Sequence, residues 1–301
     1  NIFNLHAHRF AGWKTVVLKA GEQHKTQATV DRIVSELIKF EADRKFTVIG
    51  IGGGVITDLA GDAASGYMRG LRFGFVPVSL LAMVDASIGG KNGVDVGPYK
   101  NLVGVIRQPD FLLYDSSFLS SLPLEQWTNG FAEIIKHACI KDANLFDELE
   151  KKSVDAYRGD QAALDKLIQR NAEIKCSVVQ HDEFETGERK LLNFGHTWGH
   201  AIETKLNIRH GHAVSIGMVL ACRLSEAATG FDQTDRVINL LKRYGLPVSA
   251  DVDKREVFNI LKMDKKKDSA SMNYVLLNKI GEGVIHKIPM DELWKMIEQC
   301  K

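Results

Sequence analysis

Residues 46–58 read FTVIGIGGGVITD. The apolar run Phe46–Ile51 is typical of a buried β-strand, and the three glycines Gly52–Gly54 follow it directly. A helical pattern, Thr57–Met68, begins where the glycines end. Glycines let the backbone approach a phosphate closely, and a helix N-terminus presents free N–H groups and the positive end of the helix dipole. The segment therefore predicts a strand, loop and helix that bind a nucleotide phosphate, although glycine-rich turns also occur for purely steric reasons.

Elements on both sides of this segment predict a parallel sheet. Short strands are expected at Thr15–Leu18, Phe73–Val76 and Phe111–Tyr114, and the apolar residues of 30–38 recur at helical spacing. Alternating strands and helices wind into a parallel sheet through right-handed crossovers. We therefore expect an α/β, Rossmann-like domain over residues 1–123.

The character of the chain changes after Pro123. Helical patterns then dominate, at Leu124–Ile140, Gln161–Gln180, His212–Thr229 and Arg236–Tyr244. Strands are suggested again only at Tyr274–Leu277 and Val284–Lys287. We expect a second, mainly α-helical domain over residues 124–301, and a ligand in the cleft between the two domains.

The composition is that of an ordinary globular protein, with 301 residues, 45% hydrophobic residues, 26% charged residues and a formal net charge of +1. So small a charge gives no general attraction to nucleic acid or to a membrane surface. No apolar run reaches the ~18 residues needed to cross a bilayer. The four cysteines are scattered, with no CxxC pair, which argues against a disulfide framework or a cysteine zinc site and fits the reducing cytoplasm.

Four of the ten histidines fall within residues 196–212. His196 and His200 are four apart and share one face if the segment is helical, while His210 and His212 follow closely. Histidine ligates metals and transfers protons near neutral pH. The cluster therefore predicts a site in which one histidine holds a metal and another moves protons. The alternative is a helix with two hydrogen-bonded core histidines.

Glu133 and Lys136 are three residues apart on the predicted helix Leu124–Ile140. Such a pair is most often a surface ion pair. Glu133 could equally join two histidines in a His₂Glu zinc site, which keeps one coordination position open for catalysis.

Polar residues interrupt an otherwise apolar, glycine-rich stretch at Asp85–Lys91 and Lys100–Asn101. Residues of this kind usually lie on surface loops. The neighbouring glycines instead favour a tight backbone approach, so Lys91 and Asn101 are candidates to hold a phosphate or an oxyanion.

Two carboxylates near the predicted nucleotide site each allow two interpretations. Asp58 lies in the first turn of its helix, where it either caps N–H groups or contacts the ligand. Glu22 lies where a strand is expected to end and a helix to begin, so it either hydrogen-bonds ribose hydroxyls or caps that helix.

Seven motifs in order give the chain a resemblance to the 3-dehydroquinate synthase family of the sugar-phosphate cyclase superfamily. The resemblance covers nearly the whole chain. The motifs are GGGVITDLAG (52–61), YMRG (67–70), VDASIGGK (84–91), KN (100–101), AEIIK (132–136), RKLLNFGHTWGHAIE (189–203) and HGHAVSIGM (210–218).

The resemblance implies the conversion of 3-deoxy-D-arabino-heptulosonate 7-phosphate to 3-dehydroquinate and phosphate, a step of the shikimate pathway. NAD+ oxidises a ring hydroxyl and is regenerated within the turnover. A divalent metal, Zn²⁺ or Co²⁺, polarises that hydroxyl and the resulting ketone. The ketone acidifies the neighbouring C–H, so phosphate can leave before reduction, ring opening and an aldol-type closure. A homodimer is also implied.

Site residues follow from the motif match. The implied metal ligands are Glu133, His196 and His210, with His200 as acid–base residue and Glu185 as proton acceptor. Phosphate contacts are implied for Lys91, Asn101 and Asn193, and contacts to substrate hydroxyls and carboxylate for Asp85, Lys136, Lys175 and Arg189. Arg69 resembles an arginine that reaches the partner subunit's site, and Lys265, or Lys266 if the register slips, matches a late family lysine. The implied NAD contacts are Glu22, Lys25, Gly53, Gly54, Val55, Thr57, Asp58, Val78, Ser79, Lys91, Lys100, Phe118, Ser121 and Asn129.

The chain departs from the family pattern in three places. It lacks an opening strand and helix, so we expect a missing N-terminus. It has His212 where the family usually has glutamate, and His212 would then support a metal ligand or compete as one. It has Val78–Ser79 where a threonine pair is common, which would weaken nucleotide binding modestly.

Three other functions remain open. A sister cyclase of the 2-deoxy-scyllo-inosose or epi-valiolone synthase type would act on a sugar phosphate without a carboxylate, and Lys175, Arg189 and Asn193 argue against it. A metal-dependent polyol dehydrogenase would release NADH and need no phosphate pocket, against which Lys91 and Asn101 argue. A non-catalytic relative would not need an intact histidine and glutamate set.

Overall fold

The chain is described here by a computed structural model, which covers residues 2–97, 99–264 and 270–300. It divides into two compact units, Asn1–Leu122 and Pro123–Lys301. The division falls at Pro123, where the sequence predicts the change from alternating strands and helices to long helices. The predicted fold class is confirmed, with a parallel sheet in the first unit and mostly helices in the second.

The first unit is built on a three-stranded parallel sheet. Its helices are α1 (Ile2–His6), α2 (Gln27–Lys39) and α3 (Gly54–Gly66), and its strands are β1 (Thr47–Gly52), β2 (Arg72–Pro77), β3 (Lys91–Val96), β4 (Tyr99–Ile106) and β5 (Phe111–Leu112). The sheet order is β1–β2–β5, with both pairings parallel. Parallel strands bring their carboxyl ends to one edge, so the loops after all three strands lie along that edge.

Helix α2 shows how a capping residue and an apolar stripe in the sequence determine a helix of this unit. Thr26 caps its N-terminus by accepting a hydrogen bond from the Thr29 amide at 3.4 Å. Val30, Ile33 and Leu37 then recur at helical spacing and are buried in one core cluster with residues of α3 and β3. Burial of this apolar stripe stabilises the helix, because helices draw most of their stability from packing of one face.

Two expectations for this unit need correction. The predicted strand Thr15–Leu18 is wrong, since these residues have no regular secondary structure, and the Val17 carbonyl accepts from the Arg32 side chain at 3.1 Å. The antiparallel hairpin of β3 and β4 was not predicted, because its glycines and polar residues read as a loop. Gly93 pairs with Gly104 in this hairpin, and a Cβ on either would collide with the opposite backbone.

The second unit is mainly helical. Its helices are α4 (Leu124–Lys141), α5 (Ala143–Leu149), α6 (Val154–Arg158), α7 (Gln161–His181), α8 (His196–Leu206), α9 (His210–Thr229), α10 (Thr234–Arg243), α11 (Lys254–Asp264) and α12 (Met290–Gln299), and its strands are β6 (Ser271–Lys279) and β7 (Glu282–Pro289). The two strands form an antiparallel hairpin. The four long helices predicted from the sequence are present with bounds within two residues. Across the described ranges, no helix combines the length and apolar character that crossing a membrane requires.

Glycines set the close packing of α8 against α9. A Cβ built on Gly217 of α9 would lie 1.8 Å from the Gly195 carbonyl oxygen, and one on Gly199 of α8 would lie 3.0 Å from the Ala213 carbonyl oxygen. Gly195 itself has φ +78°, a left-handed conformation that favours glycine, and forms the N-cap of α8. This close approach fixes His196 and His210, which begin the two helices, relative to each other.

We predict that Gly217→Ala lowers the free energy of unfolding by about 1–3 kcal/mol or more, because the added methyl group must displace backbone. Denaturant unfolding measures the change. Gly66→Ala is the matched control, since a Cβ there would meet nothing within 4 Å. Equal stability of the Gly217 variant and the wild type would contradict the close-packing account.

Candidate functional site

The centre of the second unit is a buried carboxylate on α4. Every residue from Trp127 to Ile140 is buried, and Glu133 has 0% exposure. Lys136, one turn further along, makes an ion pair with Glu133 Oε2, and its side chain is 2% exposed. The sequence left open whether these two residues form a surface ion pair, and the pair is instead deeply buried.

Two imidazoles face the other oxygen of this carboxylate. Glu133 Oε1 lies 3.6 Å from His196 Nε2 and 3.4 Å from His210 Nε2. The three potential ligand atoms all lie within 4.8 Å of one another. Two ligands held at ~2.1 Å from a tetrahedral ion lie about 3.4 Å apart. The spacing and the His₂Glu donor set therefore fit a single metal ion.

Both imidazoles are oriented by their other ring nitrogen. His196 Nδ1 is hydrogen-bonded to the Phe194 carbonyl oxygen at 3.2 Å. His210 Nδ1 is hydrogen-bonded to Glu203 Oε2 at 3.1 Å, and Glu203 is itself buried. Metal-binding histidines typically have such partners, which leave Nε2 free to face the ion.

Glu203 was missed by the sequence analysis, although a signal for it exists. It follows His196 by seven residues and His200 by three on the same helix, so all three share one helical face. The family motif ends on this glutamate, but only its spacing from the histidines indicates a role beside His210.

The two histidines differ in their proton affinity. Burial holds the pKa of His196 well below its ordinary value, and the nearby charge of Glu133 does not overcome that effect. Burial also lowers the pKa of His210, but the hydrogen bonds to Glu133 and Glu203 outweigh it and raise the value to about 10. A neutral imidazole is the form that binds a metal, so burial favours that form at His196, whereas a metal must displace a proton from His210.

The remaining histidines of the cluster differ in position. His200 is exposed, and its ring lies 5.3 Å from the His196 ring and 6.0 Å from the His210 ring. Its imidazole is therefore accessible to solvent. His212 belongs to none of the possible metal-ligand groups found among the described residues. Burial and the Arg209 charge lower the pKa of His212.

Predicted substrate residues on and after α7 lie in buried or tightly bonded positions. Lys175 is 7% exposed and Arg189 is 3% exposed. The Arg189 guanidinium donates to the Glu183 carbonyl oxygen, and Asn193 donates to the Glu185 carboxylate. The structure thus brings together Glu185 and Asn193, two residues that the sequence analysis singled out separately.

Predicted nucleotide residues of the first unit follow the carboxyl ends of its parallel strands. A Cβ on Gly53 would lie 3.3 Å from Ser79 Oγ, and the Val78 amide donates to the Gly52 carbonyl at 2.9 Å, so the loops after β1 and β2 meet. The Thr57 hydroxyl donates to the Gly54 carbonyl at 2.9 Å and so closes the first turn of α3. The remaining members are Gly54, Val55 and Asp58 in α3, and Phe118 and Ser121 in the turn Ser116–Ser121 after β5. Asp85, which is predicted to contact the substrate, lies in the helical turn Ala82–Ala86.

A buried lysine, Lys25, contacts two other predicted site residues. Lys25 is 5% exposed, and its Nζ lies 2.5 Å from Asp58 Oδ2 and donates to Asn101 Oδ1. Burial lowers the pKa of Lys25, but the Asp58 carboxylate outweighs it and the net shift is upward. Asp58 therefore forms a largely buried ion pair with Lys25. The expectation that it lies in the first turn of its helix is wrong, because α3 begins at Gly54 and has no acidic residue in its first turn.

The hairpin separates Lys91 and Asn101, two of the three residues predicted to contact the phosphate. Lys91 pairs with Ile106, while Asn101 lies five residues away along β4, about 17 Å at strand spacing. Asn101 instead contacts Lys25, its amide donates to Asp95 Oδ1 at 2.8 Å, and its φ of +52° is left-handed. Joint phosphate binding by Lys91 and Asn101 stays a prediction.

The other predicted residues occupy varied positions. Asn129 Oδ1 accepts from the Gly211 amide at 2.6 Å and so anchors the start of α9. Glu22 and Lys100 are exposed, the latter on β4. Arg69 is exposed in the segment 68–70, where three consecutive residues have positive φ. Such strain persists where surrounding structure enforces it and often marks a functional segment. Lys265 and Lys266 lie outside the described residues.

Comparison with known proteins identifies the family. Family models described as 3-dehydroquinate synthase N-terminal and C-terminal match residues 15–129 and 130–267. A 3-dehydroquinate synthase of Methylacidiphilum infernorum is 42% identical over 95% of this chain and 80% of its own length.

Solved structures agree with this assignment. ValA, a 2-epi-5-epi-valiolone synthase of Streptomyces hygroscopicus with NAD+ and Zn²⁺ bound, has a TM-score of 0.89 at 28% identity over 99% of this chain and 89% of its own. A 2-deoxy-scyllo-inosose synthase complexed with carbaglucose-6-phosphate, NAD+ and Co²⁺ has a TM-score of 0.87 at 26% identity, over 100% and 87%. The chain belongs to the 3-dehydroquinate synthase family.

Proposed function

We propose that the chain converts 3-deoxy-D-arabino-heptulosonate 7-phosphate to 3-dehydroquinate and phosphate, using NAD+ catalytically and a divalent metal, Zn²⁺ or Co²⁺. The observation that carries this proposal is the buried Glu133 carboxylate facing His196 Nε2 and His210 Nε2 at 3.6 and 3.4 Å. These donors would hold the metal, and Glu203 would orient His210. A divalent ion held there would supply a Lewis acid for the substrate hydroxyl and carbonyl, and bound NAD+ would supply a hydride acceptor and donor.

Proton transfer falls to residues beside the metal ligands. His200 is exposed next to His196 and His210, so its imidazole can exchange protons with a substrate and with solvent. Glu185 is the proposed proton acceptor, held by the hydrogen bond from Asn193. These two residues would carry the proton transfers that accompany removal of the C–H proton and departure of phosphate.

Buried cations support an anionic substrate. Lys136, Lys175 and Arg189 are each at most 7% exposed, although the chain as a whole is nearly neutral. Cationic side chains attract an anionic substrate even where the net charge of the chain is small. Lys175 and Arg189 would bind the substrate carboxylate, and Asp85 its hydroxyls. Phosphate binding is proposed for Lys91 and Asn193, and for Asn101 after a change in the hairpin, because Asn101 lies away from Lys91 along β4. Lys265 would join the site.

The nucleotide would bind along the sheet edge of the first unit. Gly53 and Gly54 leave backbone room at the N-terminus of α3, where a pyrophosphate is favoured. Lys25, Asp58, Ser79 and the other NAD contacts implied by the motif match would complete the pocket. The single hydroxyl of Val78–Ser79 suffices for one hydrogen bond to the ligand.

The sister cyclases are the alternative that structural similarity favours, since both compared structures have such activities. Their identity to the chain is lower, at 28% and 26%, than the 42% of the 3-dehydroquinate synthase relative. The buried Lys175 and Arg189 also suit a substrate that carries a carboxylate.

A homodimer in the cytoplasm completes the proposal. Every residue of β4 is exposed, among them the apolar side chains Tyr99, Leu102, Val103, Val105 and Ile106. A strand that exposes this many apolar side chains is typical of an interface. A second copy of the chain would cover it, and Arg69 would reach the partner's site. The four free thiols suit a reducing compartment.

The activity itself is tested by phosphate release from the heptulosonate phosphate, with catalytic NAD+ and Zn²⁺ and with NADH absorbance followed in the same cuvette. We expect release of phosphate without accumulation of NADH. Release only from sedoheptulose 7-phosphate or glucose 6-phosphate would assign a sister cyclase, and stoichiometric NADH would assign a dehydrogenase.

The metal and proton roles are separated by two substitutions on one helix. We expect His196→Ala to lose bound zinc and activity together, because it removes one of three ligands. His200→Ala should keep its zinc and lose ~10²-fold or more in kcat, as for a lost acid–base group. Zinc is measured by mass spectrometry after dialysis. Equal zinc content and equal activity in the two variants would refute the assignment.

The dimer is tested on β4. We expect Leu102→Glu to shift the mass in solution from dimer to monomer, since it buries a charge in the proposed interface. Leu113→Glu is the matched control, because Leu113 is similarly exposed, at 58% against 65%, but lies outside β4. Light scattering after size-exclusion chromatography gives the mass. A Leu102 variant that stays dimeric would exclude this face.

A further inference from the structure

A single carboxylate organises the loop after α7. Asp182 is the first residue after that helix. Its Oδ1 accepts from the Thr186 amide at 2.9 Å and the Thr186 hydroxyl at 3.1 Å. Its Oδ2 accepts from the Gly187 amide at 2.7 Å and the Arg189 amide at 3.0 Å. Both oxygens are therefore bonded to a loop that spans residues 183–189.

This loop carries two residues of the proposed reaction. Glu185 has φ +59°, a left-handed conformation that is uncommon for a residue with a side chain. Arg189 is buried, and its guanidinium is fixed by the Glu183 carbonyl oxygen. A strained backbone persists only where its surroundings over-determine it. The four hydrogen bonds to Asp182 supply that constraint from one side chain.

We propose that Asp182 is a positioning residue, which holds the loop 183–189 so that Glu185 and Arg189 are in place before the substrate binds. The inference rests on the proposed function for the roles of these two residues. Asp182 itself touches no reacting atom in this account. It acts by holding the loop in the conformation in which Glu185 accepts a hydrogen bond from Asn193 and the Arg189 amide is bonded to Asp182 at the end of α7.

The charge of Asp182 suits this role. Desolvation raises the pKa of the carboxyl, but the amides of Gly187, Thr186 and Arg189 outweigh it and bring the value to about 2. The side chain is therefore an acceptor with no proton of its own at neutral pH. The four donors in the loop match the lone pairs of a charged carboxylate. The side-chain amide of an asparagine would offer only one oxygen, and its NH₂ group would face the donors that had bonded to the second oxygen.

A purely structural role as the end of α7 is the competing explanation. The Asp182 amide donates to the Val178 carbonyl, as any helix C-cap does, and that bond does not involve the side chain. The other end of the same helix offers a matched control. Asp160 caps α7 by accepting from the Ala163 amide at 3.0 Å and contacts none of the loop 183–189 among the hydrogen bonds described.

The test compares Asp182→Asn, Asp182→Ala and Asp160→Asn in the zinc-loaded protein. Hydrogen exchange is measured at the Thr186, Gly187 and Arg189 amides, together with KM and kcat for the heptulosonate phosphate, zinc content and the thermal midpoint. Asp182→Asn keeps one side-chain oxygen as an acceptor and loses two of the four hydrogen bonds to the loop. We expect about tenfold or more faster exchange in the loop, about a tenfold or greater rise in KM, and unchanged zinc content. Asp182→Ala should exceed both effects, and Asp160→Asn should show neither.

The outcomes separate this inference from the proposed function. Loop exchange that is unchanged in both Asp182 variants overturns the inference whatever the substrate is. Faster loop exchange with unchanged KM and kcat also overturns it, since the order of the loop then has no catalytic consequence. An Asp160→Asn variant with the same rise in KM assigns the effect to helix capping and overturns it as well. A wild type that does not turn over the heptulosonate phosphate refutes the proposed function, and the exchange data alone then decide whether Asp182 orders the loop.

Discussion

The second unit depends on keeping one carboxylate charged in its core. Glu133 lies at 0% exposure on a helix whose neighbouring residues are all buried. An isolated buried charge is costly, and removing one partner of a buried ion pair typically costs about 3–5 kcal/mol. Lys136 compensates one oxygen and the imidazoles of His196 and His210 face the other. The charged carboxylate therefore lies beside two imidazoles, and carboxylate oxygen and imidazole nitrogen are ligand types that zinc binds.

Precision at this carboxylate comes from backbone packing rather than from the polar residues themselves. Gly195, Gly199 and Gly217 allow α8 and α9 to approach within backbone contact. Asn129, one turn before Glu133, accepts from the start of α9. The three ligands therefore come from three closely packed helices. The Phe194 carbonyl then orients the His196 ring, and Glu203 orients the His210 ring. Asp182 likewise orders its surroundings through few contacts, since one side chain accepts four hydrogen bonds from the loop 183–189.

Much of this could be predicted from the sequence because the signals are local. Phe46–Ile51 and the glycines after it predict β1 and α3, and the 3.6-residue period predicts the long helices within two residues. The spacing of His196 and His200 predicts a shared helical face. The predictions that failed concern contacts between residues that are distant in the sequence. Thr15–Leu18 has strand-like residues but no strand partner, and the β3–β4 hairpin pairs two glycines that read as loop. The roles of Glu203 and Asp182 depend on which groups meet in space, and no pattern along the chain records that Lys25 pairs with Asp58.

The central claim is that Glu133, His196 and His210 bind one metal ion together. X-ray absorption at the zinc edge of the zinc-loaded protein tests it most directly. The account predicts two imidazole nitrogens and a carboxylate oxygen at about 2.0–2.2 Å, with further light-atom ligands from solvent or substrate, and a spectrum that loses one imidazole in His210→Ala. Sulfur scattering near ~2.3 Å, or an unchanged spectrum in the His210 variant, would contradict it.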